Sequence, residues 1–208
     1  MEIIKNYFPD LNPEQVSQFE KLGEVLRKLN QQVNVISRKD IQNLEINHML
    51  HSLAIAKFIN FKPGTEILDL GTGGGLPGLP LAVIFPDSHF HLIDRIGKKI
   101  KVSQEIAASL KLNNVTFQHG DIGECHNKYD FVVSRAVADQ PALIKMVRKN
   151  ISAKQRNALP NGLITLKGGE LHSELGQFEK ISEIIPISNY FKEPFFETKK
   201  IVYTPILK

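Results

Sequence analysis

The strongest constraint on the fold is an apolar run that ends in a cluster of glycines, ILDLGTGGGLPGLP at residues 67–80. A short apolar run bounded by glycines is typical of a strand that is buried in a parallel sheet. Gly71, Gly73 and Gly75 can adopt positive φ values and lack a β-carbon, so a ligand can lie directly against the main chain. The segment therefore predicts a strand, a ligand-binding turn and a helix. The glycines alone also fit a tight turn without a ligand.

The rest of the sequence places this strand in a larger sheet. Short β-rich runs alternate with amphipathic stretches, as in a parallel sheet wrapped by helices. The predicted strands span residues 66–70, 89–94, 115–119, 129–134, 162–167, 184–190 and 201–207. The connection 191–200 is too short for a crossover helix, so the last two strands should pair antiparallel. We expect an α/β, Rossmann-like fold with a mostly parallel seven-stranded sheet and an antiparallel last strand.

The region before the sheet has a helical pattern. Apolar residues recur every three or four positions in its first half, at Val16, Phe19, Leu22, Leu26 and Leu29. Asn12, Pro13 and Gln15 provide a helix start with a capping box, and Ser37 with Asp40 provides a second start. Pro63-Gly64 then interrupts the helical pattern. We expect an N-terminal helical extension at 1–62, packed on an α/β domain at 63–208 that contains the glycine turn.

Composition limits the classes of protein to consider. The 208 residues include 42% hydrophobic residues, enough for one large α/β domain, and no apolar run approaches the ~20 residues of a membrane-spanning helix. The single cysteine, Cys125, and seven histidines without ligand spacing predict no metal site; His89 and His91 are better explained by an edge strand. We expect a soluble, cytoplasmic protein. The net charge of +4 and pI near 9.1 fit a polyanionic partner such as RNA, or simply a basic soluble protein.

Two acids identify the ligand expected at the glycine turn. Asp94 ends the second strand 23 residues after Gly71, close to the ~20-residue spacing of dinucleotide folds, where a carboxylate can accept both ribose hydroxyls of a nucleotide. A dinucleotide site requires G-x-G-x-x-G, whereas this turn has G-x-G-x-G and is preceded by Asp69. An acid beside the turn repels a pyrophosphate but attracts the sulfonium and ammonium groups of S-adenosylmethionine (SAM), directly or through water. The sequence therefore favours SAM over NAD.

A third acid, Asp121, follows the third predicted strand. In this position a carboxylate and the neighbouring backbone amides, here those of Ile122 and Gly123, can hold an adenine. An Asp that only caps a turn is an equally good explanation of Asp121 taken alone. Acids at the ends of three successive strands are harder to explain without a ligand.

Four motifs in a fixed order give a resemblance that covers almost the whole chain. They are ILDLGTGGGLPGLPLA, HLIDRIGKKI, VVSRAVA and LKGG, and the chain thereby resembles the ribosomal RNA small subunit methyltransferase G family, also called glucose-inhibited division protein B. The most specific parts are LPG at 76–78 and SRA at 134–136. Its helical start, in NVISRKD and HMLHSL, is also similar to that of the family.

The resemblance implies a function, partners and site residues. The function is transfer of a methyl group from SAM to N7 of a guanine in the decoding-region loop of 16S rRNA. The partner is 16S rRNA or the small ribosomal subunit, and we expect a monomer. The cofactor contacts that the resemblance implies are Gly71, Leu76, Ile122, Gly123 and Arg135. The chain departs from the family at His51, where an Asp is common, and in the long basic segment 149–162, which is either an RNA contact or a solvated loop.

The residue chemistry fits this implied reaction. Guanine N7 can attack a methyl group without losing a proton, so no general base is needed. Cys125 is not at a strand end, as the nucleophile of a cytosine C5 methyltransferase is expected to be. Arg135 is the predicted active-site residue, for the SAM carboxylate or guanine O6, and Lys167 is predicted to hold an RNA phosphate. An NAD-type oxidoreductase and a SAM-dependent enzyme that acts on another RNA or a small molecule remain the alternatives.

Overall fold

Seven strands form one sheet in the computed structural model, which describes residues 1–135 and 137–207, except for the side chain of His172. The strand order is β3-β2-β1-β4-β5-β7-β6. The bounds are β1 (Glu66–Leu70), β2 (His89–Asp94), β3 (Val115–His119), β4 (Phe131–Arg135), β5 (Gly162–Gly168), β6 (Glu183–Pro186) and β7 (Lys199–Pro205). Strands β1 to β5 are parallel, and β7 runs antiparallel to both β5 and β6. The predicted sheet and its antiparallel last strand are confirmed.

The expected edge position of the second strand is wrong. Strand β2 lies between β1 and β3, and β3 is the edge strand on that side of the sheet. The two ring nitrogens of His91 contact Thr116 Oγ1 at 2.8 Å and Gln118 Oε1 at 3.2 Å on β3. Cross-strand hydrogen bonds, which the sequence pattern could not show, therefore account for this histidine.

Helices cover both faces of the sheet, and the first long one begins as predicted. The α-helices are α1 (Glu2–Tyr7), α2 (Pro13–Asn30), α3 (His51–Phe58), α4 (Gly78–Ile84), α5 (Gly97–Ser109), α6 (Gln140–Val147) and α7 (His172–Leu175). Asn12 Oδ1 accepts a hydrogen bond from the Gln15 amide at 2.9 Å, and Gln15 Oε1 accepts one from the Asn12 amide at 3.1 Å. This capping box satisfies two of the amides that a helix start leaves unpaired.

The second predicted helix is divided into three kinds of helix. Ser37 Oγ accepts a hydrogen bond from the Asp40 amide at 3.1 Å, as expected of a cap. A 3₁₀-helix (Asp40–Asn43), a π-helix (Glu45–Leu50) and α3 then follow. Apolar periodicity cannot distinguish these geometries over a single turn. The π-helix is a rare element that is frequent at functional sites.

The N-terminal helices and the sheet share one hydrophobic core. Phe19 of α2 and Leu53 of α3 belong to the same buried cluster as Phe90 and Phe131 of the sheet. Gln15 Nε2 also donates a hydrogen bond to the Val83 carbonyl of α4 at 2.9 Å. A domain boundary near residue 62 stays a prediction, because the packing is continuous across it. Among the described residues, no helix is both long and apolar enough to cross a membrane.

Candidate functional site

A cavity of about 510 Å³ lies at the carboxyl ends of β1, β2 and β4, where a doubly wound sheet binds its ligands. We call it the glycine cavity, since the turn after β1 forms one of its walls. It is lined by Val35, Leu70, Gly71, Thr72, Gly73, Gly74, Leu76, Ile93, Asp94, Arg95, Ile96, Lys99, Gly120, Ile122, Arg135, Val137, Ala138 and Met146. The turn thus forms a cavity as the sequence predicted, and the wall combines apolar side chains with a few polar groups.

The glycines at the turn have different structural roles. Gly71 has φ 70°, and a β-carbon there would lie 2.5 Å from Val137 Cγ2. Gly73 has φ 58°, and a β-carbon there would meet nothing within 4 Å. Gly71 therefore lets the chain pack closely, whereas Gly73 leaves open space on the cavity side of the turn. Gly75 has φ 93° but is not one of the lining residues.

Asp69 is fully buried beneath the turn and does not line the cavity. Its Oδ2 accepts hydrogen bonds from Thr72 Oγ1 at 2.6 Å and from the Gly78 amide at 2.8 Å. Burial raises the pKa of this carboxyl to about 6, against the lowering effects of these hydrogen bonds and of Arg135. Asp69 connects the glycine turn to the start of α4, and its Oδ1 is buried without a partner among the described residues.

Gly78 and Leu76 show why the sequence LPG follows the glycines. A β-carbon at Gly78 would lie 2.7 Å from Asp69 Oδ2, so glycine is required for the contact between its amide and Asp69. Leu76 is buried, lines the glycine cavity and precedes a cis peptide bond to Pro77. Leu76 therefore forms part of the cavity wall, whereas Gly78 holds the start of α4 against Asp69.

Asp94 lies at the end of β2 and lines the cavity. Its Oδ2 accepts a hydrogen bond from the Gly73 amide at 2.9 Å, and its Oδ1 accepts one from the Ile96 amide at 2.8 Å. A carboxylate has about four acceptor positions, so each oxygen retains capacity for a ligand hydroxyl. The carboxylate is thus fixed by the backbone at the position that the sequence predicted.

Asp121 caps the turn that follows β3. Its Oδ1 accepts a hydrogen bond from the Gly123 amide at 2.7 Å, and its Oδ2 forms an ion pair with Arg95 Nε at 2.8 Å. Asp121 and Gly123 do not line the cavity, whereas Ile122 and Gly120 do. The structure therefore shows the capping role that the sequence left open, and an adenine contact by Asp121 stays a prediction.

Arg135 ends β4 and lines both the glycine cavity and a second cavity. Its Nη1 donates a hydrogen bond to His48 Nδ1 at 3.0 Å. Burial lowers the pKa of Arg135 to about 10, although the acids Asp69 and Asp40 raise it. Arg135 thus remains a cation at neutral pH and lies between the two cavities. Ala136, the last residue of the SRA motif, lies outside the described residues.

The second cavity has a volume of about 610 Å³, and we call it the histidine cavity. It is lined by Asp40, Asn47, His48, His51, Arg135, Leu166, Lys167, Gly168, Glu174, Phe195 and Lys199. Four of its residues come from the helical region before the sheet, and the others come from β4, β5, α7 and the segment around β7. No sequence signal joined these distant segments.

Two neutral histidines line this cavity. Burial and the charge of Arg135 lower the pKa of His48 to about 4 and that of His51 to about 3. Because arginine can only donate, His48 Nδ1 is the acceptor, so the proton of neutral His48 is on Nε2. The Nε2 atoms of both histidines are buried without a partner among the described residues. The ring of His51 packs edge-on against Phe195 and Phe196.

Lys167 lies in the wall of the histidine cavity, and its side chain is only 8% exposed. Its ammonium forms an ion pair with Glu174 at 2.5 Å and also donates to the Ala138 carbonyl. Both partners hold the ammonium inside the protein. The predicted contact of Lys167 with an RNA phosphate thus competes with a buried ion pair.

The middle of the basic segment 149–162 is anchored at the opposite end of the sheet, whereas Lys149 Nζ donates a hydrogen bond to the Gly123 carbonyl at 2.7 Å. Arg156 forms an ion pair with Asp130, the residue before β4, at 3.3 Å. Asn157 Oδ1 accepts hydrogen bonds from the Lys62 amide at 2.9 Å and Thr65 Oγ1 at 3.2 Å, just before β1. These contacts place the middle of the segment at the amino ends of the strands, away from both cavities.

Several wall residues were not predicted, and Phe195 is the most informative of them. It belongs to the connection 191–200, whose sequence predicts only a link between two strands. Asp40 was predicted only as a cap, and His48 was not singled out. Isolated polar or aromatic residues carry no local signal of the cavity that they line. In the described part of the chain, no group of three His, Cys, Asp or Glu residues could hold a metal ion.

Comparison with known sequences gives a consistent result over nearly the whole chain. A family model described as rRNA small subunit methyltransferase G matches residues 15–194. The ribosomal RNA small subunit methyltransferase G of Bacteroides thetaiotaomicron is 56% identical over 206 residues, which cover 99% of this chain and 100% of the relative. The protein of the same name from Christiangramia forsetii is 48% identical over 206 residues, covering 99% and 97% of the two chains.

Solved structures with a similar fold are more distant in sequence. A SAM-dependent methyltransferase from Aquifex aeolicus has a TM-score of 0.57 and 13% identity, covering 83% of this chain and 100% of that one. A mutant of MtNAS in complex with S-adenosylmethionine has a TM-score of 0.56 and 13% identity, covering 90% and 71%. The predicted Rossmann-like methyltransferase fold is confirmed.

Proposed function

Because the chain belongs to the rRNA small subunit methyltransferase G family, we propose that it transfers a methyl group from SAM to N7 of a guanine in the decoding-region loop of 16S rRNA. Its partner is 16S rRNA or the small ribosomal subunit, and it acts as a monomer in the cytoplasm, where ribosomes are assembled. The observation that carries this proposal is the position of Arg135 between the glycine cavity and the histidine cavity.

The glycine cavity suits SAM in shape and in polar groups. The open space over Gly73 allows a ligand to reach the main chain of the turn. Asp94 provides a fixed carboxylate with remaining acceptor capacity for the ribose hydroxyls. Ile96 and Ile122 provide apolar surface in the same wall for the adenine ring. Bound SAM supplies an electrophilic methyl group on a sulfonium.

Methyl transfer to guanine N7 matches the groups that the site contains. The N7 lone pair forms a bond to the methyl carbon while the carbon–sulfur bond breaks and its electrons go to sulfur. The products are S-adenosylhomocysteine and a cationic 7-methylguanine, and no proton is lost. A general base is therefore unnecessary, and the two histidines, whose pKa values are about 4 and about 3, need not accept a proton. The protein contributes positioning and electrostatics.

Arg135 is the residue that we place at the reacting groups. Its guanidinium has five N–H donors, one of which is used by His48. The remaining donors can bind the SAM carboxylate on one side or guanine O6 on the other, and O6 is adjacent to N7 on the base. Lys167 supports this wall through its ion pair with Glu174, and its release toward an RNA phosphate stays part of the proposal.

Two measurements test the proposed function. Titration with SAM and with NADH should give binding of SAM alone, and tight NADH binding without SAM binding would favour an oxidoreductase. Mass mapping of 16S rRNA from a strain that lacks the gene should show an unmethylated guanine in the decoding-region loop, which the purified protein then methylates. A methyl group that persists on N7 in the deletion strain contradicts the substrate assignment.

A further inference from the structure

The histidine cavity has no assigned ligand, and it touches the glycine cavity through Arg135. A group that is to receive a methyl from the first cavity must approach Arg135 from the second. The part of the methyl acceptor that enters this cavity can therefore be inferred from the chemistry of the wall.

We propose that the histidine cavity binds the target guanine as an everted base, with Phe195 as its stacking surface and the Asp40 carboxylate as the acceptor for its N1–H and 2-amino group. The inference rests on the proposed function and adds to it the pocket and the residues that select the base.

Phe195 has the properties of a stacking surface. Its side chain is partly exposed and lines the cavity, whereas the neighbouring Phe196 is fully buried. The edge-on contact with His51, at 5.5 Å between ring centroids, fixes the orientation of the Phe195 ring. Lys199 Nζ lies over one face of this ring, 4.9 Å from its centroid. Because the lysine is partly exposed, a base that stacks on the ring can displace it. A base that leaves its helix typically stacks on such an aromatic side chain, and the displaced ammonium can approach the phosphate.

Asp40 has the properties of a base-selecting acid. It lines the histidine cavity but not the glycine cavity, and among the described side chains its carboxylate has no cation within ion-pair distance. Ser37 Oγ donates to its Oδ2 at 2.8 Å and fixes the side chain. A carboxylate can accept N1–H and the 2-amino group of guanine together, whereas adenine presents an acceptor at N1 and no 2-amino group.

The two contacts orient the base correctly for transfer. Guanine carries N7 and O6 on one side and N1 with the 2-amino group on the other. If the second side meets Asp40, O6 is directed toward the donors of Arg135, and N7 lies beside O6 toward the glycine cavity. The neutral His48 keeps Arg135 in this orientation through its 3.0 Å hydrogen bond.

The test measures methyl transfer to small subunits from a deletion strain, together with SAM affinity and thermal melting. Phe195→Leu is compared with Phe195→Tyr, which keeps the ring, and Asp40→Asn is compared with Glu197→Gln, an exposed acid on the same segment as Phe195 that does not line the cavity. We expect Phe195→Leu to lower kcat/KM about 10-fold. We expect Asp40→Asn to lower it about 10- to 100-fold, because a hydrogen bond to a charged group is lost. Phe195→Tyr, which keeps the ring, should lose less activity than Phe195→Leu. Glu197→Gln should stay within about 3-fold of the wild type, and all four should keep the SAM affinity.

A base replacement separates recognition from a structural effect. Subunits are assembled with 16S rRNA that carries inosine, which lacks the 2-amino group, at the target position. The penalty of Asp40→Asn should be smaller on inosine than on guanine, because the amino contact is already absent. Equal penalties on both bases overturn the assignment of Asp40.

The outcomes distinguish this inference from the proposed function. An active wild type with Phe195→Leu and Asp40→Asn both within about 2-fold overturns the base pocket and leaves the function intact. A wild type that methylates a ribosomal protein instead of rRNA overturns both. If Phe195→Leu fails to fold, Asp40→Asn and the inosine comparison still decide whether the histidine cavity binds the target guanine.

Discussion

Arg135 donates a 3.0 Å hydrogen bond to His48, and so connects the end of a central strand to a π-helix that precedes the sheet by sequence. This contact lies at the boundary between the two cavities. It also determines the tautomer of His48 and the direction of the guanidinium, since arginine offers donors only. The site is thus assembled between the helical region and the sheet.

The first prediction concerns Arg135. Arg135→Gln should lower kcat/KM for methyl transfer by about 100-fold or more, because a fixed donor at the reacting groups is lost. Circular dichroism should show an intact fold. Arg148→Gln, at an exposed arginine outside both cavities, is the matched control and should leave the rate unchanged. Normal turnover of Arg135→Gln would remove Arg135 from the active site.

The second prediction compares two acids at strand ends. Asp94→Asn should weaken SAM binding about 10- to 100-fold, because a charged acceptor for the ribose hydroxyls is lost. Asp121→Asn should have a smaller effect, since Asp121 binds Gly123 and Arg95 and does not line the cavity. Isothermal titration calorimetry measures both dissociation constants. A larger effect at Asp121 than at Asp94 would favour the adenine contact of Asp121 as the dominant one.

The third prediction compares two glycines that both have a positive φ, a backbone conformation that strains residues with a β-carbon. Gly73 and Gly169 have φ 58° and 77°, and a β-carbon at either one meets nothing within 4 Å. Each change to Ala should therefore destabilise the fold by about 1–2 kcal/mol. Gly73 lines the glycine cavity and Gly169 does not, so Gly73→Ala alone should weaken SAM binding. Equal SAM affinities of the two variants would mean that the ligand does not approach the main chain at Gly73.

The fourth prediction concerns the dependence of stability on pH. His48 and His51 have pKa values of about 4 and about 3, below the ordinary 6.5, so the unfolded chain binds more protons as the pH falls below 6.5. Each histidine then lowers the free energy of unfolding by about 1.4 kcal/mol per pH unit. Asp69 has the opposite effect: its pKa is raised to about 6, so between pH 6 and 3.8 acidification raises the free energy of unfolding. Between pH 6 and 4, the effects of the two histidines and the opposite effect of Asp69 sum to a decrease in the free energy of unfolding of about 1.4 kcal/mol for each pH unit of acidification.

Substitution of His51 tests this balance. In His51→Leu, the destabilising effect of His48 and the stabilising effect of Asp69 cancel between pH 6 and 4. The free energy of unfolding of the variant should therefore fall less on acidification than that of the wild type. The difference in the free energy of unfolding between the variant and the wild type should change by about 1.4 kcal/mol per pH unit between pH 6 and 4. Urea unfolding at several pH values measures it. Parallel curves for the two proteins would show that His51 is not held neutral in the folded state.

Much of the fold follows from local sequence patterns. The capping box at Asn12, the alternation of strands and helices, and the short 191–200 connection each predicted a feature that the structure contains, because each depends on neighbouring residues. The sequence could not show that β2 is interior, nor that the second helix contains a π-turn. Strand order and helix type both depend on packing against segments that are distant in sequence.

The sequence by itself determined the glycine turn and the strand-end position of Asp94, since these need only local backbone freedom and the order of strands. Tertiary structure decided the rest of the site. It buried Asp69 beneath the turn, paired Asp121 with Arg95, and brought Asp40, His48 and Phe195 to the cavity beyond Arg135. Residues that meet only through long-range packing leave no periodicity or spacing in the chain, and the cavity that they line forms only where the helical region packs on the sheet.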